Sequence, residues 1–135
     1  MTVCLSSELH ARLIAWADAV PGREVCGLLF GEPNRIDHAE KINNISSNLE
    51  DEFEIEPASL IRAHRAARQG GPAVIGCFHS HPNGVPKPSP RDAASAAADG
   101  SLWLIIAGRD VSAWRAVGAG AIHDRFDPVS LIIGD

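Results

Sequence analysis

Three apolar runs constrain this chain most: Val25–Gly31 (VCGLLFG), Ala73–Phe78 (AVIGCF) and Leu102–Gly108 (LWLIIAG). Each is too short for a buried helix and too uniformly apolar for a strand with one wet face, so each reads as a strand covered on both sides. The stretches between them carry helical spacing. Leu9, Leu13, Trp16 and Val20 recur every three or four residues, Ser6 or Ser7 can cap, and Glu8 suits a first turn, which predicts a helix over 7–19. Pro57 opens a second helix through about Arg68, with Leu60, Ile61, His64 and Ala67 on one side. Ser89-Pro90 starts a third helix, ended by Gly100.

Further strands are expected at TVCL near the start, from Ile36 to about Ile45, at FEIE (53–56), at VSAWRAV (111–117), and in two short closing segments. Trp103 and Trp114 straddle the GRD turn and are expected to pair across a hairpin. Strands interleaved with helices around one sheet make an α/β domain. With 135 residues, the chain is read as a single domain over 1–135 with one core.

Composition excludes several classes. A net charge of −5 without a basic cluster disfavours nucleic acid. No apolar run reaches the ~20 residues of a membrane helix, and MTVCLSSELH lacks the pattern of a secretion signal. A cytoplasmic protein, monomer or homodimer, is therefore expected. Cys4, Cys26 and Cys77 form no CxxC pair, and the latter two sit in apolar runs, so both are assigned to core packing. The acidic run Glu50, Asp51, Glu52, Glu54 and Glu56 is read as a solvated loop and strand edge.

The chemistry concentrates in GCFHSHPNGVPKPSPRD, Gly76–Asp92. Strand alternation sends His79 and His81 to one face with Cα atoms ~6.6 Å apart, close enough for both imidazoles to reach one metal. Ser80 points away between them. The following loop is stiffened by three prolines. Ser89 then serves as an N-cap, and Asp92 falls in the first helical turn, where the helix end stabilises an anion. Two nitrogens and a carboxylate leave a fourth position open, the arrangement of a hydrolytic zinc site.

His79-Ser80-His81, seven intervening residues, then Ser89-Pro90-Arg91-Asp92 resemble the JAMM (MPN+) metalloprotease signature. Glu24-Val25-Cys26-Gly27-Leu28-Leu29-Phe30-Gly31 resembles the family's upstream glutamate and strand, and NNISSN followed by FEIEP is similar to its small prokaryotic branch. The resemblance covers nearly the whole chain. It implies a cytidine-deaminase-like fold, a mixed sheet flanked by helices with zinc at one edge. It implies Zn²⁺ held by His79, His81 and Asp92 with water fourth, Glu24 as general base and then acid, and Ser89 as hydrogen-bond donor to the water or the oxyanion. It further implies an amide cut after the C-terminal tail of a ubiquitin-like protein, with ThiS- or MoaD-type sulfur carriers favoured, and with the tail lying along a strand edge by strand addition.

Other functions fit less well. A catalytically silent MPN scaffold would lack one of these side chains. A nucleoside deaminase needs H-x-E and P-C-x-x-C, and neither is present. A RadC-like branch shares H-x-H-P and S-x-x-D, but the Glu24 segment and the negative charge favour the peptidase branch. Lys87 and Arg91 flank the motif and are read as solvent-exposed.

Overall fold

Side-chain alternation along the three apolar strands dictates how the helices are placed in the computed structural model, which describes residues 2–134. In chain order the elements are β1 (Thr2–Leu5), α1 (Ser7–Asp18), β2 (Cys26–Glu32), β3 (Arg35–Ile42), α2 (Pro57–Arg68), β4 (Val74–Ser80), α3 (Pro90–Ser95), β5 (Leu102–Ala107), β6 (Asp110–Gly120) and β7 (Asp124–Ile133). On β5, Leu102, Leu104 and Ile106 point to one face and Trp103 and Ile105 to the other, and all five are buried. The first face joins Phe78 and Leu29 with Leu9, Leu13 and Ile14 of α1. The second face splits in two. Leu28, Phe30 and Ile42 pack under Leu60 and Ala63 of α2. Trp103, Ile105, Trp114 and Phe126 pack beside Ala93 and Ala96 of α3. Each fully buried Leu, Ile or Phe contributes roughly 1.5–3 kcal/mol of transfer free energy.

The strands run in the order β1-β3-β2-β4-β5-β6-β7, and β1 pairs with β7 to close the sheet into a barrel. The β4–β5, β1–β3 and β1–β7 pairings are parallel and the others antiparallel, so the sheet is mixed. Trp103 and Trp114 are register partners, as the hairpin reading expected. Gly76 permits the close approach of β4 and β5: a Cβ there would collide with the Leu102 carbonyl.

Three expectations are corrected. FEIE forms no strand; Phe53 and Ile55 do alternate inward around exposed Glu54, but only a single bridge joins Ile55 to Asn44, and the Glu54 N–H is taken by the Asn44 side chain at 2.9 Å instead of a ladder partner. Helix α3 stops at Ser95, since Ala96 is extended and the chain runs irregularly to Gly100. The closing segments form one long strand, β7. β4 is an inner strand, paired by β2 on one side and β5 on the other. No helix among the described residues is long and apolar enough to cross a membrane.

Candidate metal centre

The end of β4 brings three acceptor atoms together. His79 is paired opposite Cys26 on β2 and is wholly buried. Phe53 stacks on its ring at 4.3 Å between centroids, and Trp103 meets it edge-on at 5.7 Å. His81 follows the strand, with its backbone N–H on the Ile106 carbonyl at 2.8 Å. Its Nδ1 lies 2.8 Å from the carbonyl oxygen of Val85. A carbonyl only accepts, so Nδ1 carries the hydrogen, and neutral His81 presents a bare Nε2.

Asp92 arrives from α3. Ser89 caps that helix by accepting from the Asp92 N–H at 3.1 Å, and Asp92 Oδ2 accepts the Ser89 N–H at 2.9 Å. This reciprocal capping box fixes the carboxylate with one oxygen aimed at the histidines. Asp92 Oδ2 is 3.2 Å from His79 Nε2 and 3.1 Å from His81 Nε2, and the two Nε2 atoms are 2.9 Å apart. Three acceptors so close repel unless a cation lies among them, either a proton or a metal. Their spacing also fits zinc, since bonds of 2.0–2.1 Å to tetrahedral corners put those corners about 3.3 Å apart.

Titration follows from this crowding. Burial opposes the charge on Asp92, yet hydrogen bonds from His79 and His81, each donated when its Nε2 carries a proton, hold its carboxyl far below the usual range. Burial pushes His79 down. Burial also acts against His81⁺, but the hydrogen bonds to Asp92 and the Val85 carbonyl outweigh it and raise the imidazole.

Glu24 sits just ahead of β2 and is buried, with Oε1 lacking any partner. Glu24, His79 and His81 each bring a ligand atom within 4.8 Å of the others. Burial, opposed by His81 but reinforced by Asp92, Asp51 and Glu52, pushes the Glu24 carboxyl up to about 8. A cleft of about 300 Å³ opens over it, lined by Glu24, Glu50, Asp51, His81, Asn83 and Ser89. A second cavity, of about 720 Å³, lies behind Phe53 between α2 and α3 and is lined by none of the three acceptors or Glu24.

All five motif residues, Glu24, His79, His81, Ser89 and Asp92, thus lie in one corner of the fold. The acidic run does more than face water. Leu49 accepts the Glu24 N–H at 2.7 Å, Glu52 pairs with Arg91 at 3.4 Å, and Phe53 covers His79. Asn44 donates to both the Glu24 and Glu52 carbonyls at 3.0 Å. Residues 43–56 are therefore a covering loop that a strand reading of FEIE conceals. Their density of Asn and Ser, which bond backbone groups locally, is the signal for it in the sequence. The cysteines are free. Burial, aided by Glu24, pushes the Cys26 thiol up to about 12, in keeping with core packing.

Residues 6–117 match the family model of prokaryotic homologues of the JAB domain. Over 83 residues the chain is 39% identical to the desampylase of Pyrococcus furiosus, covering 62% of this chain and 59% of that protein. Over 98 residues it is 32% identical to the desampylase of Haloferax volcanii, covering 71% and 69%. The match to the Pyrococcus protein thus spans less than two thirds of that relative's length. The fold is shared with a protein of Desulfitobacterium hafniense known from its solution structure, at a TM-score of 0.79 and 24% identity over 99% of this chain and 94% of that one. Matched from its first helix into its sixth strand, the chain belongs to the family of prokaryotic JAB-domain homologues.

Proposed function

We propose that the chain is a zinc-dependent peptidase or isopeptidase that hydrolyses the amide bond after the C-terminal tail of a ubiquitin-like protein, with a ThiS- or MoaD-type sulfur carrier as that protein. One observation carries the reading: His79 Nε2, His81 Nε2 and Asp92 Oδ2 lie within 3.2 Å of one another beside the buried, unpartnered Glu24 Oε1. His79, His81 and Asp92 are assigned as the ligands of one zinc. Bound there, zinc supplies an acidified water and polarises the scissile carbonyl.

The remaining steps belong to side chains. Glu24 takes a proton from the attacking water as the new C–O bond forms. As the C–N bond breaks, it delivers that proton to the leaving amine. Burial raises this carboxyl in the metal-free protein, and a metal beside it would offset that rise, which suits a group that takes up a proton and then returns it. The Ser89 oxygen accepts from the Asp92 N–H, which leaves the hydroxyl hydrogen free for the oxyanion.

The two desampylase relatives support a protein-modifier substrate. Because both edges of β4 are taken, the tail is assigned to the 300 Å³ cleft, whose small size favours glycine at the cut. Three free cysteines fit action in the cytoplasm. The test is elemental analysis of wild type and His79→Ala, in parallel with cleavage of a sulfur carrier bearing a peptide beyond its Gly-Gly end. About one zinc per chain, lost in the variant together with cleavage, is expected. A wild type that takes up no zinc when it is offered would overturn the reading.

A further inference from the structure

We infer that Ser80, the residue between the two histidines, is the positioning residue for Glu24. This rests on the acid–base role assigned to Glu24 above. Glu24 lies outside every strand, two residues before the ladder that starts at Cys26. Nothing in β2 itself holds its backbone, yet its Oε1 must stay within reach of the histidine nitrogens. The Leu49 carbonyl takes the Glu24 N–H at 2.7 Å, and Ser80 holds the residues on either side of it. Its Oγ accepts the Val25 N–H at 2.8 Å and donates to the Arg23 carbonyl at 3.5 Å, so one hydroxyl bridges the residues on either side of Glu24. The Ser80 N–H also donates to the Val25 carbonyl at 2.9 Å. Strand alternation makes this possible: the extended end of β4 and the residue after it send His79 and His81 to one face and the Ser80 hydroxyl to the other. The tripeptide that carries two acceptors of the metal centre therefore also registers the proton-transfer group against them, across 55 residues of sequence. Asn44 completes the grip by donating to the Glu24 carbonyl at 3.0 Å.

Replacing the hydroxyl leaves the buried Val25 N–H without its partner and releases the segment. In Ser80→Ala, kcat on a Gly-Gly-tailed carrier fusion should fall about 10- to 100-fold, the scale of a misplacement near 1 Å, with KM and zinc content unchanged. Hydrogen exchange at the Val25 amide of the metal-free protein should quicken at least about tenfold, while that at Leu28 and Phe78 stays slow. Ser80→Thr keeps the hydroxyl and should restore both readouts. Wild-type kcat in Ser80→Ala, or a parallel loss of zinc, KM and melting temperature, would overturn the inference. If Ser80→Ala does not fold, Asn44→Asp removes the donor to the Glu24 carbonyl and should show the same selective loss of kcat; an unchanged kcat there would count against the clamp. A wild type that cleaves no such substrate refutes the hydrolase reading alone, and the clamp is then decided by exchange at Val25.

Discussion

His81 Nδ1 donates to the Val85 carbonyl at 2.8 Å, and this bond turns the bare Nε2 onto Asp92 Oδ2, 3.1 Å away. A proton or a metal must then sit among His79, His81 and Asp92, and the two compete. Because His81 is raised above its ordinary value, it holds a proton over a wider pH range. Metal affinity should therefore fall as pH drops through the His81 range, and loading should release protons. Competition against a chelator across that range, together with proton release in weak buffer, measures both. Affinity independent of pH would remove His81 from the ligand set.

Glu24→Gln should keep the metal and lose turnover. The amide preserves shape but cannot carry the proton, so a loss of about 10²–10⁴-fold is expected. Zinc content together with kcat checks this, and a variant that still cuts would shift the role to another group.

The same carboxyl makes the metal-free protein sensitive to pH. Its folded value is about 8 against an ordinary 4.5, so between those values the folded state holds a proton that the unfolded state has lost. Stability from this group is complete below the unfolded value and declines as pH rises toward the folded one. Denaturant unfolding of metal-free wild type should weaken over that window, and Glu24→Gln should flatten the decline.

Ser89→Ala should act on both stability and metal. Losing the cap costs about 1 kcal/mol, and it frees Asp92 from the box that aims Oδ2 at the histidines. Unfolding of the metal-free variant reads the first effect, and the rate of zinc extraction reads the second, which should rise.

Phe78 is wholly buried and stacks on Trp16 at 5.6 Å between centroids. Phe78→Ala should cost about 3–5 kcal/mol and loosen the contact of α1 with the strand that carries both histidines. Thermal and denaturant unfolding give the number.

The site was legible in the sequence because its parts are local. His79, His81, Ser89 and Asp92 fall within one strand, one stiff loop and one capped turn, where period-two alternation and capping rules apply directly. The three apolar runs likewise announce β2, β4 and β5. Phe53 and Asn44 were not legible, since both act through contacts across the fold that no period records, and FEIE imitates a strand. Closure of the sheet was hidden for a similar reason. TVCL and the last strand are far apart in sequence, and their parallel pairing follows from the global path of the chain.

That closure governs how molecules meet one another. A ring of paired strands leaves little backbone for a second copy to zip onto, but the ring has a gap: β1 covers only Arg35 and Ile36 of β3. Beyond them, Asp37, His38, Glu40 and Lys41 stand exposed on the uncovered stretch. Charge of both signs along an open edge makes sheet-to-sheet polymerisation costly. This seam is thus guarded by side chains, so crowding the protein to high concentration should not drive it into fibres through the β3 edge.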